Sequence, residues 1–315
     1  MYSGPAMKPL LLESVKVETI WGSDNISKKR GYDKSYGSWW EISAHKKSAN
    51  KIKNYDTDKN FYEFVMENEE DILGPGYTIH EMLRLGFLDT KDTLSIQVHP
   101  DDEYAMKNSD DFGKKESWYI IDAKPGANLV AGTTISDSEL IRDGLEDGSV
   151  EKYLQRWEVS KGDFITIPMG MLHSLGRNIL ALEVGTNSDT TYRFYDYNRT
   201  DKNGKKRALQ VKESFDVTDF SKKPEFIKAE DKTRRLIESK EYIIDEIYAD
   251  EDIELTLDKH FCVVSNISED STVIKWNDKD IELKSYDSMF VPYASKSINI
   301  KKGAHILLSQ PGKEL

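Results

Sequence analysis

The stretch Gly162-Asp163-Phe164-Ile165-Thr166-Ile167-Pro168-Met169-Gly170-Met171-Leu172-His173 constrains the fold more than any other part of the chain. An apolar run suited to a strand is closed by a proline, which fixes one backbone angle, and then by a glycine, which permits angles that other residues avoid. The chain must therefore turn sharply before His173. A related layout returns at Tyr286-Asp287-Ser288-Met289-Phe290-Val291-Pro292. Each copy has an Asp turn, an apolar strand and a proline, and each leads to a further strand, Ile179 to Glu183 in the first and Ala304 to Leu308 in the second. This weak internal repeat predicts two jelly-roll barrels in tandem. Where the first copy reaches His173, the second reaches Ser297, so the second copy is expected to be structural and free of metal.

The remaining punctuation agrees with a mainly β protein. Short runs rich in β-branched and aromatic residues (Thr93 to Val98, Ser117 to Asp122, Asn128 to Ala131, Leu180 to Val184, Phe261 to Ile267) are bounded by Gly, Pro, Asp and Asn. Helical signals are few and read as short insertions. Ser136 with Glu139 has the form of a capping box, and Val150 to Trp157 places apolar residues at helical spacing. The charged stretch Ser221 to Arg235 is the best linker, which divides the chain into a catalytic domain at 1–225 and a C-terminal domain at 236–315.

Composition narrows the partners. The 315 residues, 38% of them hydrophobic, are enough to bury a core, and the net charge of -12 with dispersed Lys and Arg leaves no basic face for a nucleic acid. No apolar run has the length of a membrane span, and Met1 to Leu12 lacks the pattern of a secretion signal, so a cytoplasmic location is expected. Met1 to Ala6, before Met7, carries no pattern. The single cysteine, Cys262, lies in an apolar stretch and is expected to be a buried, inert thiol.

Four residues are candidates for a metal. In Ser95-Ile96-Gln97-Val98-His99-Pro100 the side-chain period of two puts Gln97 and His99 on one face, where they can share an ion. Taken alone, this segment is read equally well as a strand that ends in a histidine. Glu116 precedes the strand Ser117-Trp118-Tyr119-Ile120-Ile121 and in isolation reads as a surface glutamate. Together with His173 the set supplies two imidazoles, one carboxylate and one amide oxygen. Such mixed N/O donors suit zinc and also accommodate manganese, iron or cobalt. No cysteine is placed to join them, which favours an open site over a structural thiolate one.

The Gly162 to His173 segment resembles the second motif of the cupins, in which a strand, a Pro-Gly turn and another strand place the histidine inside a barrel. That pattern usually has Asn four residues after the histidine, and here Arg177 stands there, followed by Asn178. The chain as a whole is similar to type I mannose-6-phosphate isomerases of the short bacterial form. The resemblance rests on Leu94 to Asp102, Gly113 to Ile121, the His173 motif, Ser188-Asp189-Thr190-Thr191-Tyr192-Arg193-Phe194-Tyr195-Asp196-Tyr197, and the earlier landmarks Ile20-Trp21-Gly22 and Trp40 to His45. It covers most of residues 8 to 220.

The resemblance implies two cupin-like barrels and one zinc per chain, held by Gln97, His99, Glu116 and His173. It also implies a Lys114 beside the substrate, an Arg193 essential for activity, and interconversion of mannose 6-phosphate and fructose 6-phosphate through a cis-enediol. Monomer and homodimer are both compatible with it. Read without the resemblance, Arg193 is a strand-end surface residue and Lys114 a solvated member of the pair Lys114-Lys115. Lys114 is open to two roles, as an acid/base if its pKa is depressed or as a point charge for phosphate. Glu183 and Asp196 are alternative carboxylates. Many relatives carry a phosphate-binding Lys where this chain has Gly86, for which Arg84 or Lys91 would have to substitute. That departure keeps a second reading alive, a sugar-phosphate-binding module without turnover, and a third is another cupin enzyme such as an iron dioxygenase.

Overall fold

The computed structural model describes residues 6–201 and 203–312; Met1 to Pro5, most of the patternless opening, lie outside the described residues. The chain is mainly β, and its described helices are short. Two compact units are formed. One comprises Lys16–Trp39 and Phe87–Ala229, and the other comprises Trp40–Gly86 with the chain up to Val15 and the chain from Glu230 onward. The last crossing falls at Ala229 and Glu230, inside the charged stretch singled out above.

In the unit built on Phe87–Ala229, the strands Phe226–Ile227, Phe164–Ile167, Glu116–Ala123 and Ile179–Thr186 lie side by side in one sheet. A second, five-stranded sheet has the order Tyr192–Tyr195, Ile96–Val98, His173–Ser174, Asn128–Thr133, Leu154–Glu158. Both sheets stay open. Trp118, Ile120, Ile165 and Ile167 from the first join Leu129 and Ala131 from the second in one core. The opposite face of the five-stranded sheet is covered separately. Ile96, Val98, Val130 and Phe194 pack there with Ile141 of the helix Ser138–Asp147 and with Phe215 and Val217 of the helix Val211–Val217. Alternation along Ile96-Gln97-Val98 thus commits the two apolar residues to the helix-covered face and turns Gln97 the other way.

The second unit repeats the plan. One sheet orders Arg234–Glu238, Tyr242–Tyr248, His305–Pro311, Cys262–Asn266, Ser288–Val291, Leu10–Glu13 and Lys51–Ile52, and a four-stranded sheet orders Ile253–Thr256, Ser297–Ile300, Thr272–Trp276 and Lys279–Leu283. Cys262 is buried in this core beside Val264, Met289 and Ile306, and burial pushes its thiol far above the usual range.

The internal repeat is visible as shared turn chemistry. Gly162 and Tyr286 both take left-handed backbone angles, φ 84° and 64°. The next residue is in each case an aspartate whose Oδ2 accepts from an N–H three residues back, Ser160 N at 2.9 Å for Asp163 and Lys284 N at 3.2 Å for Asp287. The strands that follow are Phe164–Ile167 and Ser288–Val291. Two local expectations are corrected. The helix Ser138–Asp147 is capped by Asp137, whose carboxylate accepts from Glu139 N and Leu140 N, and not by Ser136. A carboxylate at that position satisfies two of the helix's open N–H groups at once. The helical spacing at Val150 to Trp157 yields only the 3₁₀ turn Val150–Tyr153. Leu154–Glu158 is a strand because it pairs with Asn128–Thr133, and Trp157 donates to Ala131 O at 3.0 Å. Among the described residues no helix is long and apolar enough to cross a membrane.

Candidate metal centre

The candidate ligands are brought together by strand register. His173 stands opposite Gln97 on the neighbouring strand, and Arg193 stands opposite Gln97 on its other side. Directly opposed residues of an antiparallel pair project from the same face. Arg193, Gln97 and His173 therefore form one row, and His99, two residues beyond Gln97, lies on the same side of the chain. The turn before His173 is tied to this strand. Met171 N donates to Pro168 O, and Gly170, at φ 79°, donates its N–H to His99 O at 2.8 Å. A Cβ at Gly170 would stand 2.8 Å from Val217 O, so the turn has room for glycine alone.

Glu116 comes from the facing sheet, where it opens its strand opposite Ile167 and Gly185. His99 Nε2 lies 3.3 Å from Glu116 Oε2, His173 Nε2 lies 3.3 Å from Glu116 Oε1, and the two Nε2 atoms are 3.1 Å apart. All three side chains are buried. Their ligand atoms form the one three-residue cluster able to hold a metal ion among the described residues.

The chemistry of this arrangement follows from the outer ring nitrogens. His99 Nδ1 is 2.9 Å from Thr190 O and His173 Nδ1 is 2.8 Å from Met171 O. A carbonyl oxygen only accepts, so each Nδ1 carries a proton and Nε2 is the ring atom left to bind an ion. Two imidazole nitrogens and a carboxylate then converge on one buried point, a donor set that could hold a metal ion. Burial, and next the nearby Lys114 cation, push His99 down to about 4, so the ring stays a neutral donor at physiological pH. Glu116 feels the same burial, but the Lys114 cation outweighs it and holds the carboxyl well below the ordinary range. The residues present fit a metal ion.

Lys114 adds a second layer. Its Nζ lies 2.6 Å from Glu116 Oε2 and 2.9 Å from Glu183 Oε1, and it is almost fully buried. The expectation of a carboxylate near the site is thus met by Glu183, which burial and then the charge of Glu116 push up to about 7. A legible signal was available for it. Glu183 is the one charged residue in the otherwise apolar run Ile179-Leu180-Ala181-Leu182-Glu183-Val184, and a charge inside such a run is rarely buried without a partner. Asp196, the other alternative, is committed elsewhere, with its carboxylate accepting from Arg199 Nη2 at 2.7 Å and from Arg207 Nη2 at 2.6 Å.

Comparison with known proteins finds close relatives over most of the chain. A family model described as phosphomannose isomerase type I, catalytic domain, matches residues 12–128, a span that contains Gln97, His99 and Glu116. The mannose-6-phosphate isomerase of Streptococcus mutans is 36% identical over 223 residues, covering 68% of this chain and 69% of that protein. Mannose-6-phosphate isomerase ManA of Bacillus subtilis is 31% identical over 312 residues, covering 96% and 98%. The chain belongs to the type I phosphomannose isomerase family. The crystal structure of the mannose 6-phosphate isomerase from Bacillus subtilis superimposes with a TM-score of 0.87 at 30% identity, covering 96% of this chain and all of that one.

The other residues expected to serve a phosphomannose isomerase are less tightly gathered. Gln97 is half-buried in its row between His173 and Arg193. Arg193 donates through Nη1 to Ala208 O at 2.9 Å and through Nε to Ser95 Oγ at 3.3 Å, and burial lowers its pKa. Gly86 falls within the strand Leu83–Asp89. Arg84 is buried in its own unit, with its guanidinium 3.7 Å from the Trp40 ring centroid and donating to Ser43 Oγ and Ser48 Oγ. Lys91 is exposed.

Proposed function

We propose that this isomerase is zinc-dependent and interconverts mannose 6-phosphate and fructose 6-phosphate through a cis-enediol, with one zinc per chain held by His99, Glu116, His173 and Gln97. The observation that carries the reading is the meeting of the two Nε2 atoms with the Glu116 carboxylate in a buried space. Three such donors suit zinc, an amide oxygen from the same row of the sheet would be a fourth, and substrate would then enter by expansion to five-coordination. When bound, the metal would supply positive charge where the enediolate develops it.

The chain's own residues take the remaining roles. Arg193, next to Gln97 on the sheet, offers a permanent cation toward the same charge. Lys114, fixed between Glu116 and Glu183, is the candidate proton carrier beside the metal site, and its double pairing argues against use as a mobile phosphate clamp. Glu183 is its proton partner. On this reading the chemistry belongs to the catalytic domain proposed at 1–225, of which Lys16–Trp39 and Phe87–Ala229 form the unit that carries the cluster, and 236–315 is a cupin-like domain without metal. The test is a coupled isomerase assay with metal analysis on one sample. Purified protein is expected to carry close to one zinc and to lose turnover on chelation and regain it with zinc. Full activity in metal-free protein would refute the reading.

A further inference from the structure

A second cavity, of about 570 Å³, opens at the far end of the same two strands that carry the candidate ligands. Thr93 lines it, four residues before Gln97, and so does Arg177, four residues after His173. Gln97 and His173 are directly opposed, and the pairing continues through Leu94 N donating to Leu175 O, so the cavity is displaced along the sheet by about 13 Å at roughly 3.3 Å per residue. It is not the metal centre.

Three guanidinium groups, Arg156, Arg177 and Arg199, line this one cavity in a chain whose net charge is -12. Two of them are loosely engaged. Arg177 has only a 3.9 Å ion pair with Asp92, beyond hydrogen-bond reach, and its side chain is 69% exposed. Arg156 makes 3.4 Å contacts to Glu151 Oε2 and Asn128 Oδ1, at the outer limit of hydrogen bonding. Arg199 is fixed by Asp92, Asp196 and Thr93 O and gives the cavity a rigid positive wall. Tyr197 completes the lining. Its hydroxyl oxygen is buried and makes no hydrogen bond, and the residue is held at φ 56°, a left-handed conformation that costs a bulky side chain energy. Arg177 is also the residue that replaces the Asn of the cupin pattern, a substitution for which the metal centre has no use.

We infer that this cavity is a second anion site, which binds the phosphate monoester of a small metabolite through Arg156 and Arg177, with Arg199 as its fixed positive wall. Planar guanidinium groups with unfilled N–H donors match phosphate oxygens in pairs, and the volume is that of a small-ligand pocket. Asp92 and Glu151 do not cancel the site, because three cations face two carboxylates and Arg177 keeps its donors.

The test compares the zinc-loaded native chain with the double variant Arg156→Ala, Arg177→Ala by isothermal titration, using inorganic phosphate and sorbitol 6-phosphate, a sugar phosphate that cannot isomerise. The variant is expected to bind one equivalent fewer of sorbitol 6-phosphate, or to bind that equivalent at least tenfold more weakly, while its KM and kcat for mannose 6-phosphate stay within twofold of native. A loss seen with both ligands assigns recognition to the phosphate group, and a loss seen with sorbitol 6-phosphate alone assigns it to the ester. Equal stoichiometry and affinity in the two proteins, verified as folded by equal Tm, would overturn the proposal. The comparison is a difference in equivalents, so it reads the same whether or not the metal centre isomerises sugar phosphates.

Discussion

His99 and His173 face one another with their Nε2 atoms 3.1 Å apart, each ring anchored from behind by a backbone carbonyl. Neither ring can turn its proton inward without giving up that anchor. The pair is therefore preset as two donors, and the sequence separation of 74 residues between them is bridged by one strand pairing and one Pro-Gly turn.

Replacing either ring should remove the metal. His99→Ala and His173→Ala are each expected to lower zinc affinity by at least about 100-fold, since removing only an outer-shell partner of a ligand costs 10- to 100-fold. Elemental analysis after dialysis checks this. A variant that retained one zinc at native affinity would remove that histidine from the ligand set.

Metal removal should also show in stability. A ligand that binds only the folded chain adds about 2.7 kcal/mol when present at 100 times its Kd, so chelation is expected to lower Tm by several degrees. The same treatment of His173→Ala should leave Tm where it was. Equal shifts in both proteins would mean that the chelator acts elsewhere.

Lys114→Met should be among the most damaging single changes. It strands Glu116 and Glu183 as neighbouring buried carboxylates, and breaking a buried ion pair from one side costs about 3–5 kcal/mol. Urea denaturation of the metal-free proteins measures it. A loss under about 1 kcal/mol would show that the pair is solvated and weak.

A glycine pair isolates the turn. Gly170 and Gly126 share φ 79°, but a Cβ at Gly126 meets nothing within 4 Å, whereas at Gly170 it meets Val217 O at 2.8 Å. Gly126→Ala should cost about 1–2 kcal/mol for the left-handed backbone alone. Gly170→Ala should cost more and should also weaken zinc binding, because the turn carries the bond to His99 O. Equal costs in the two variants would refute the steric account.

Acid stability should depend on Asp196. Burial raises its carboxyl, but Arg207 and Arg199 prevail and hold it below 3.8. The folded group therefore keeps its charge at pH values where the unfolded one is already protonated. Its contribution is complete above about pH 4 and is lost as pH falls through the depressed folded value. Asp196→Asn should be less stable at neutral pH and should lose less on acidification below pH 4. An unchanged acid limb in a Tm profile would contradict this.

Much of this architecture was legible because it is written in local signals. The strand Phe164–Ile167 and the turn at Gly170 follow from β-branched residues, a proline and a glycine acting within a few positions. His173 could be singled out for the same reason. Glu116 and Lys114 could not, because nothing around them announces burial; their environment is made by a facing sheet and by Glu183, dozens of residues away. Leu154–Glu158 shows the converse failure, where a helical spacing was overridden by pairing with Asn128–Thr133. The helix cap at Asp137 was displaced by one residue, since two adjacent capping side chains compete and the carboxylate accepts two bonds.

The buried Cys262 makes the C-terminal unit self-reporting. A reagent that alkylates thiols can reach this sulfur only when the sheet between Met289 and Ile306 parts. With one thiol in 315 residues, every alkylated molecule records one opening of that core, and the labelling rate at saturating reagent is the rate of opening itself. The unit that does not carry the His99, Glu116 and His173 cluster thus has its own clock.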